Sequence, residues 1–182
     1  LPFRQPQLKR MLQHTTKLSY GNWHELGDST VTMYNAGHIP GAAMPEVDSG
    51  KTRVVYSGDF KLEETKTTFA TVMPPKEPDV LIMESTYSDR DHPPRKDLEA
   101  ELGRQMNETL GEGGTVLFPA FAIGRTQELI RIVRSQNKDV DIYIDGMGWE
   151  VSEMLSHFSS YMKEFKKFRH DIDTCRHVAH RK

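Results

Sequence analysis

A chain of 182 residues, 36% hydrophobic and 27% charged, carries enough apolar material for one good core or two small ones. No run approaches the roughly 18 apolar residues that a membrane-spanning helix needs, and residues 1–6 hold no apolar stretch of the secretory-signal type. A single cysteine, Cys175, excludes an intrachain disulfide and fits a reducing, cytoplasmic setting, while the net charge of −2 says little about partners, because a local groove can carry the positive charge that nucleic acid needs.

In chain order, Gln7 to Tyr20 is polar and basic with apolar points at Leu8, Met11 and Leu12, which predicts a short helix or an irregular lead-in. β-branched and aromatic residues then alternate through Ser29–Tyr34, predicting a half-buried strand over Thr30–Asn35 that Gly37 breaks just before His38. Strands over Ala43–Asp48 and Thr52–Gly58 are joined by Ser49-Gly50-Lys51, a turn in which glycine tolerates positive φ. The second of them delivers Asp59. After Pro74, Pro75 and Pro78, the strand Asp79–Met83 delivers Glu84; its nearly all-apolar Val80-Leu81-Ile82-Met83 predicts an interior strand covered on both faces.

The polar breaker from Ser88 to Pro94 predicts a boundary between two domains, 1–88 and 89–182. Beyond it, Leu98, Leu102, Met106 and Leu110 share one side of a helix over Arg95–Leu110. A strand over Thr115–Phe118, a helix from Gly124 burying Leu129, Ile130 and Val133, and a strand over Val140–Ile144 follow, together predicting a parallel α/β unit. Apolar residues from Val151 to Phe168 recur at helical spacing and predict one long helix with a core stripe.

Three strands thus end in His38, Asp59 and Glu84, and open α/β sheets place ligand sites at carboxyl strand ends. Taken singly, each residue fits a turn or a solvated strand end as well, and spacing alone leaves both readings open. Gly124 and Arg125 open a helix whose free N–H groups, positive end and guanidinium fork suit a nucleic-acid phosphate, although Arg125 could equally pair with Glu128. Gly111-Glu112-Gly113-Gly114 lacks the ending of a P-loop and Gly146-Met147-Gly148 lacks the third glycine of a dinucleotide fingerprint, which argues against a nucleotide-binding module. Cys175, His177 and His180 match no zinc-knuckle spacing and read as part of a basic tail.

The strings AGHIPGAAM (36–44), YSGDF (56–60), MESTY (83–87) and FPAFAIGRTQEL (118–129) occur in the order and approximate separation of the metallo-β-lactamase superfamily, β-CASP branch. From about Leu8 to Trp149 the chain resembles the middle of archaeal ribonucleases similar to the cleavage and polyadenylation specificity factor nuclease. The resemblance implies a fold made of part of an αββα metallo-β-lactamase sandwich followed by the start of a parallel α/β β-CASP domain. It also implies two zinc ions in the complete family site, with His38 and Asp59 as ligands, Asp59 bridging the metals and so also catalytic, and Glu84 supporting a histidine that assists the leaving group.

The function so implied is zinc-dependent cleavage of RNA phosphodiesters, of the mRNA 3′-end processing or RNA decay type. The family's His-x-His-x-Asp-His string is missing, and His157, His170, His177 and His180 lie in no recognisable motif. The expectation is therefore an incomplete chain, inactive in isolation, with RNA as partner. The faces of Val54, Val80 and Ile82 should lack some cover, which favours self-association or a complementary chain segment. The alternative is a non-catalytic RNA-binding or scaffolding relative that has lost its metals.

Overall fold

The computed structural model describes residues 3–178 and has mixed α/β content. Pro6 at the start of α1 (Gln5–Gln13) presets the helical φ, and none of the helix's residues is buried. The sheet begins with β1 (Trp23–Leu26), which the sequence reading did not anticipate, paired through the Gly27-Asp28 turn with β2 (Ser29–Asn35). Strands β3 (Ala43–Asp48) and β4 (Arg53–Tyr56) continue an antiparallel meander. Their turn forms as expected: Gly50 takes φ +77 and its N–H donates to Asp48 Oδ1 at 2.8 Å.

Strand β5 (Val80–Ile82) then adds in parallel to β4, so the order is β1-β2-β3-β4-β5. This corrects the interior-strand expectation. β5 is the sheet's outer strand, and Val80, Leu81 and Ile82 are 45%, 51% and 52% exposed. An all-apolar run specifies a strand that expects cover on both faces, not that the cover is present. Ala36, Met44 and Val55 form the small core on the covered side, with Tyr34, Ala42 and Phe60 packed against it.

In the second half, α2 (Arg95–Gly111) buries Met106 but leaves Leu98 about half exposed. Helix α3 (Arg125–Gln136) turns Ile130 and Val133 inward as its spacing dictates. The segment 115–118 forms no strand, contrary to expectation: no neighbouring strand pairs with it among the described residues, and Leu117 is 87% exposed. Of the strand expected over Val140–Ile144, only β6 (Tyr143–Ile144) forms; its parallel partner is β7 (Arg176–His177). The expected parallel α/β unit is thus reduced to this two-stranded pair.

The long helix over 149–168 is also corrected. It is two helices, α4 (Met147–Leu155) and α5 (Phe165–Asp173), separated by a single 3-10 turn, Ser159–Tyr161, and a left-handed Glu164 at φ +50. Competing bonds draw the chain off a helical path there, since Lys163 N–H donates to Thr67 O at 2.9 Å and the Glu164 carboxylate receives Arg131 at 2.6 Å. Leu155, Met162 and Phe168 still reach one core with Ile130, Ile144, Ile172 and Cys175, whereas Met154 and Phe158 stay about half exposed. Helical spacing had identified most of the buried residues while concealing the bend between them.

Candidate active site

His38 stands on a clamped loop. Gly37 takes φ +72, and a Cβ there would lie 2.5 Å from Lys61 O and 2.7 Å from Thr71 N, so only glycine lets the loop lie against segment 61–71. Its N–H donates to Asn35 Oδ1 at 3.1 Å, while Thr71 Oγ1 donates to Ala36 O at 2.7 Å. The loop that carries the imidazole is thus held through its backbone.

Asp59 follows β4 at Gly58, and its Oδ2 lies 3.7 Å from His38 Nε2, with the two side chains 69% and 36% exposed. Glu84 follows β5 and completes the cluster. Its Oε1 accepts Phe60 N–H at 3.1 Å, its Oε2 accepts the Thr86 hydroxyl at 2.5 Å, and its own N–H donates to Ser57 Oγ at 3.2 Å. The Thr86 hydrogen bond first, then the Phe60 N–H, hold the Glu84 carboxyl below its ordinary range, with a smaller contribution from the charge of His38. His38 and Asp59 thus meet beyond the end of β4, and Glu84 is tied to the same place through Phe60.

A cleft of about 260 Å³ runs from His38 and Ile39 to the start of α3. Lys61, Thr67, Phe121, Gly124, Arg125 and Glu128 are among its lining residues. The His38 region and the Gly124-Arg125 pair, far apart in the sequence, therefore face one space. Gly124 is buried at φ +77, and a Cβ would meet Ile39 Cγ2 at 2.5 Å.

The helix start is not the array of free N–H donors that its sequence promised. Gly124 N–H donates to Gln127 Oε1 at 2.7 Å, Arg125 N–H to Ile123 O at 2.9 Å and Thr126 N–H to Phe121 O at 3.2 Å. What remains for an anion is the exposed Arg125 guanidinium, which makes no ion pair among the described residues. Glu128, the alternative partner for Arg125, is engaged elsewhere: it receives Lys66 N–H and Thr67 N–H at 2.9 Å each, the Thr67 hydroxyl at 2.5 Å, and Arg95.

Sequence reasoning missed Lys61, Thr67 and Phe121, and named Glu128 only as a possible partner for Arg125. The loop residues that Glu128 binds, Lys66 and Thr67, lie more than sixty positions away, and no local spacing signals them. Thr86 was visible in the same string as Glu84, two residues on, but its hydroxyl bond to that carboxylate was not.

Among the described residues, no group of three or more His, Cys, Asp and Glu side chains is arranged to hold a metal ion. His38 and Asp59 offer two donors where zinc takes four ligands, so this pair alone does not fit the metal. Cys175 is not a further donor: it is buried in the helical core, donates to Asp171 O at 3.1 Å, and burial pushes its thiol up to about 11. His177 stacks on Trp149 with ring centroids 5.2 Å apart, His157 and His170 are exposed, and His180 lies outside the described residues. No helix among the described residues is long and apolar enough to cross a membrane.

No family profile matches the chain. It is 34% identical over 168 residues to RNase aCSPSF2 of Saccharolobus solfataricus, covering 89% of this chain and 33% of that protein. It is 35% identical over 174 residues to the transcription termination factor FttA of Methanothermobacter thermautotrophicus, covering 90% of this chain and 27% of the factor. Endoribonuclease YSH1 of Yarrowia lipolytica is 37% identical over 144 residues, covering 79% of this chain and 16% of the enzyme. The chain spans about a third or less of the length of these relatives. Over most of its length the chain is thus similar to two proteins named as ribonucleases and to one named as a transcription termination factor.

Proposed function

We propose that this chain forms part of a zinc-dependent, RNA-cleaving phosphodiesterase of the metallo-β-lactamase superfamily, acting in mRNA 3′-end processing or RNA decay. The observation that carries the reading is the shared cleft, whose lining includes both His38, itself 3.7 Å from Asp59, and the Arg125 guanidinium, which makes no ion pair among the described residues. In this reading His38 and Asp59 contribute two ligands to a metal site that further ligands complete. Glu84 is the supporting carboxylate at the same edge, kept ionised by Thr86 and Phe60. Zinc, when bound, supplies a water whose pKa is lowered to about 7.

The chain's own residues hold and orient. Arg125 offers a fork to a phosphate oxygen, and Gly124 shapes the wall against Ile39. Lys61 adds a second positive charge to the lining. Two donors are too few to hold zinc tightly, so this chain is expected to bind RNA and to cleave it little or not at all by itself.

Three measurements on the purified chain test this: RNA binding by fluorescence anisotropy across a salt series, zinc content after dialysis, and RNA cleavage. The expected results are salt-sensitive binding, a salt slope reduced by about one on Arg125→Ala, and zinc well below two ions per chain. Two tightly held zinc ions, lost on His38→Ala, would show that the ligand set is larger than assigned. Absence of RNA binding would overturn the reading itself.

A further inference from the structure

We infer that Glu128 is a positioning residue: a buried carboxylate latch that fixes the wall formed by segment 65–68 onto helix α3 and so sets the width of the cleft. The inference rests on the RNA-binding reading of that cleft. Glu128 is 6% exposed and lies one helical turn beyond Arg125, on the side of α3 turned toward the first half of the chain. Both of its oxygens are taken. Oε1 receives Lys66 N–H and the Arg95 guanidinium, while Oε2 receives Thr67 N–H and the Thr67 hydroxyl.

Two of those donors are backbone groups of segment 65–68, which belongs to no helix or strand. Without a sheet or helix to hold it, such a segment takes its position from the side chains that bind its backbone. Here one carboxylate supplies acceptors for successive amides. Thr67 is 1% exposed and Thr68 is 4% exposed, so an unpaired N–H in this segment would have little water to turn to. The latch is braced on its far side, where Thr67 O accepts Lys163 N–H at 2.9 Å and Lys66 Nζ lies 3.0 Å from Glu99.

The segment and the helix both line the space that contains His38 and Arg125. Release of the latch therefore changes the separation between the group assigned to phosphate binding and the strand-end cluster. Charge and position predict opposite effects here, which makes the inference testable. Glu128→Gln removes a negative charge near Arg125, and electrostatics alone predicts tighter binding of RNA. Positioning predicts weaker binding, because an amide cannot accept from both backbone donors and also satisfy Arg95.

The experiment measures amide hydrogen exchange at Lys66, Thr67 and Thr68, with Val55 and Ile130 as core references. In parallel, the affinity of the whole chain for a labelled single-stranded RNA is followed. Glu128→Gln is expected to speed exchange at the three loop amides by about tenfold or more with the core unaffected. RNA affinity is expected to fall by about tenfold. Thr67→Val, which keeps the Glu128 charge and removes one donor, is expected to weaken RNA binding in the same direction by about threefold.

Unchanged exchange at 66–68 overturns the latch. Faster loop exchange with equal or tighter RNA binding overturns the positioning role. If Glu128→Gln loses core protection as well, Thr67→Val decides alone by the same two readouts. Failure of the unaltered chain to bind RNA overturns the underlying reading and the positioning role with it, and the exchange data then report on the latch separately.

Discussion

Gly124→Ala should be among the most damaging single-methyl changes in this chain, and two independent costs can be worked from its surroundings. The backbone at Gly124 has φ +77 and ψ −58, with Arg125 N–H donating across it to Ile123 O at 2.9 Å, a tight γ-turn that side chains avoid. Holding alanine there costs about 1–3 kcal/mol. The new Cβ would also lie 2.5 Å from Ile39 Cγ2 and 3.3 Å from Ile39 Cβ. The Cγ2 atom moves only if χ1 of a β-branched residue or its backbone moves, so overpacking adds about 1–3 kcal/mol. The sum is about 2–6 kcal/mol, and at about 2–4 °C per kcal/mol for a chain of this size the midpoint falls by roughly 5–20 °C. Thermal and urea unfolding followed by circular dichroism would measure it. Because the steric share runs through one side chain, Ile39→Ala in the Gly124→Ala background should cost less than Ile39→Ala alone. A single variant within about 0.5 kcal/mol of the parent, or strictly additive behaviour of the pair, would refute the argument.

Three further outcomes are expected. Glu84 has a folded-state pKa below its unfolded value, so its contribution is complete above the ordinary carboxylate range and is lost as pH falls through the depressed value. The stability gap between the parent and Glu84→Gln should therefore be present at neutral pH and close on acidification, and a gap independent of pH would contradict the assignment. Arg131→Met should cost about 3–5 kcal/mol in denaturant unfolding, because Asp171, itself buried, loses its partner; Arg131→Met with Asp171→Leu should recover much of it. Leu81→Lys should reduce concentration-dependent association in sedimentation, since β5 is an apolar outer strand; a parent chain that stays monomeric at high concentration would show that this edge attracts no partner.

Much of the sheet was legible because its signals are local. Alternation in 29–35, the Ser49-Gly50-Lys51 turn and the strand ends at His38, Asp59 and Glu84 each depend on a few neighbours, and all three ends meet at one edge. Errors arose where the deciding group is distant. Thr115–Phe118 has strand-like residues and no partner to pair with among the described residues. Met154 and Phe158 fit a helical stripe, yet Arg131 and Thr67 bend the chain before that stripe is complete. The free amides predicted at the start of α3 were taken by Gln127 and by loop carbonyls, which helix periodicity cannot report. Glu128 was named only as a possible partner for Arg125, and the loop that it binds became visible only in three dimensions.

The single parallel pairing in the sheet has a kinetic consequence. β1 to β4 pair through short turns, so each contact forms between residues close in sequence and closes a small loop. β5 reaches β4 only after segment 57–79, which contains no helix or strand of its own. Contacts of high sequence separation form slowly because the chain entropy must be given up before they return any stabilisation. The meander is therefore the early-forming unit, and the docking of β5, which brings Glu84 to Phe60, is the late one. Substitutions in β2 and β3 should act mainly on the folding rate, whereas changes around Glu84 should act mainly on the unfolding rate. The edge that gathers His38, Asp59 and Glu84 would then be the last part of the sheet to assemble and the first to open.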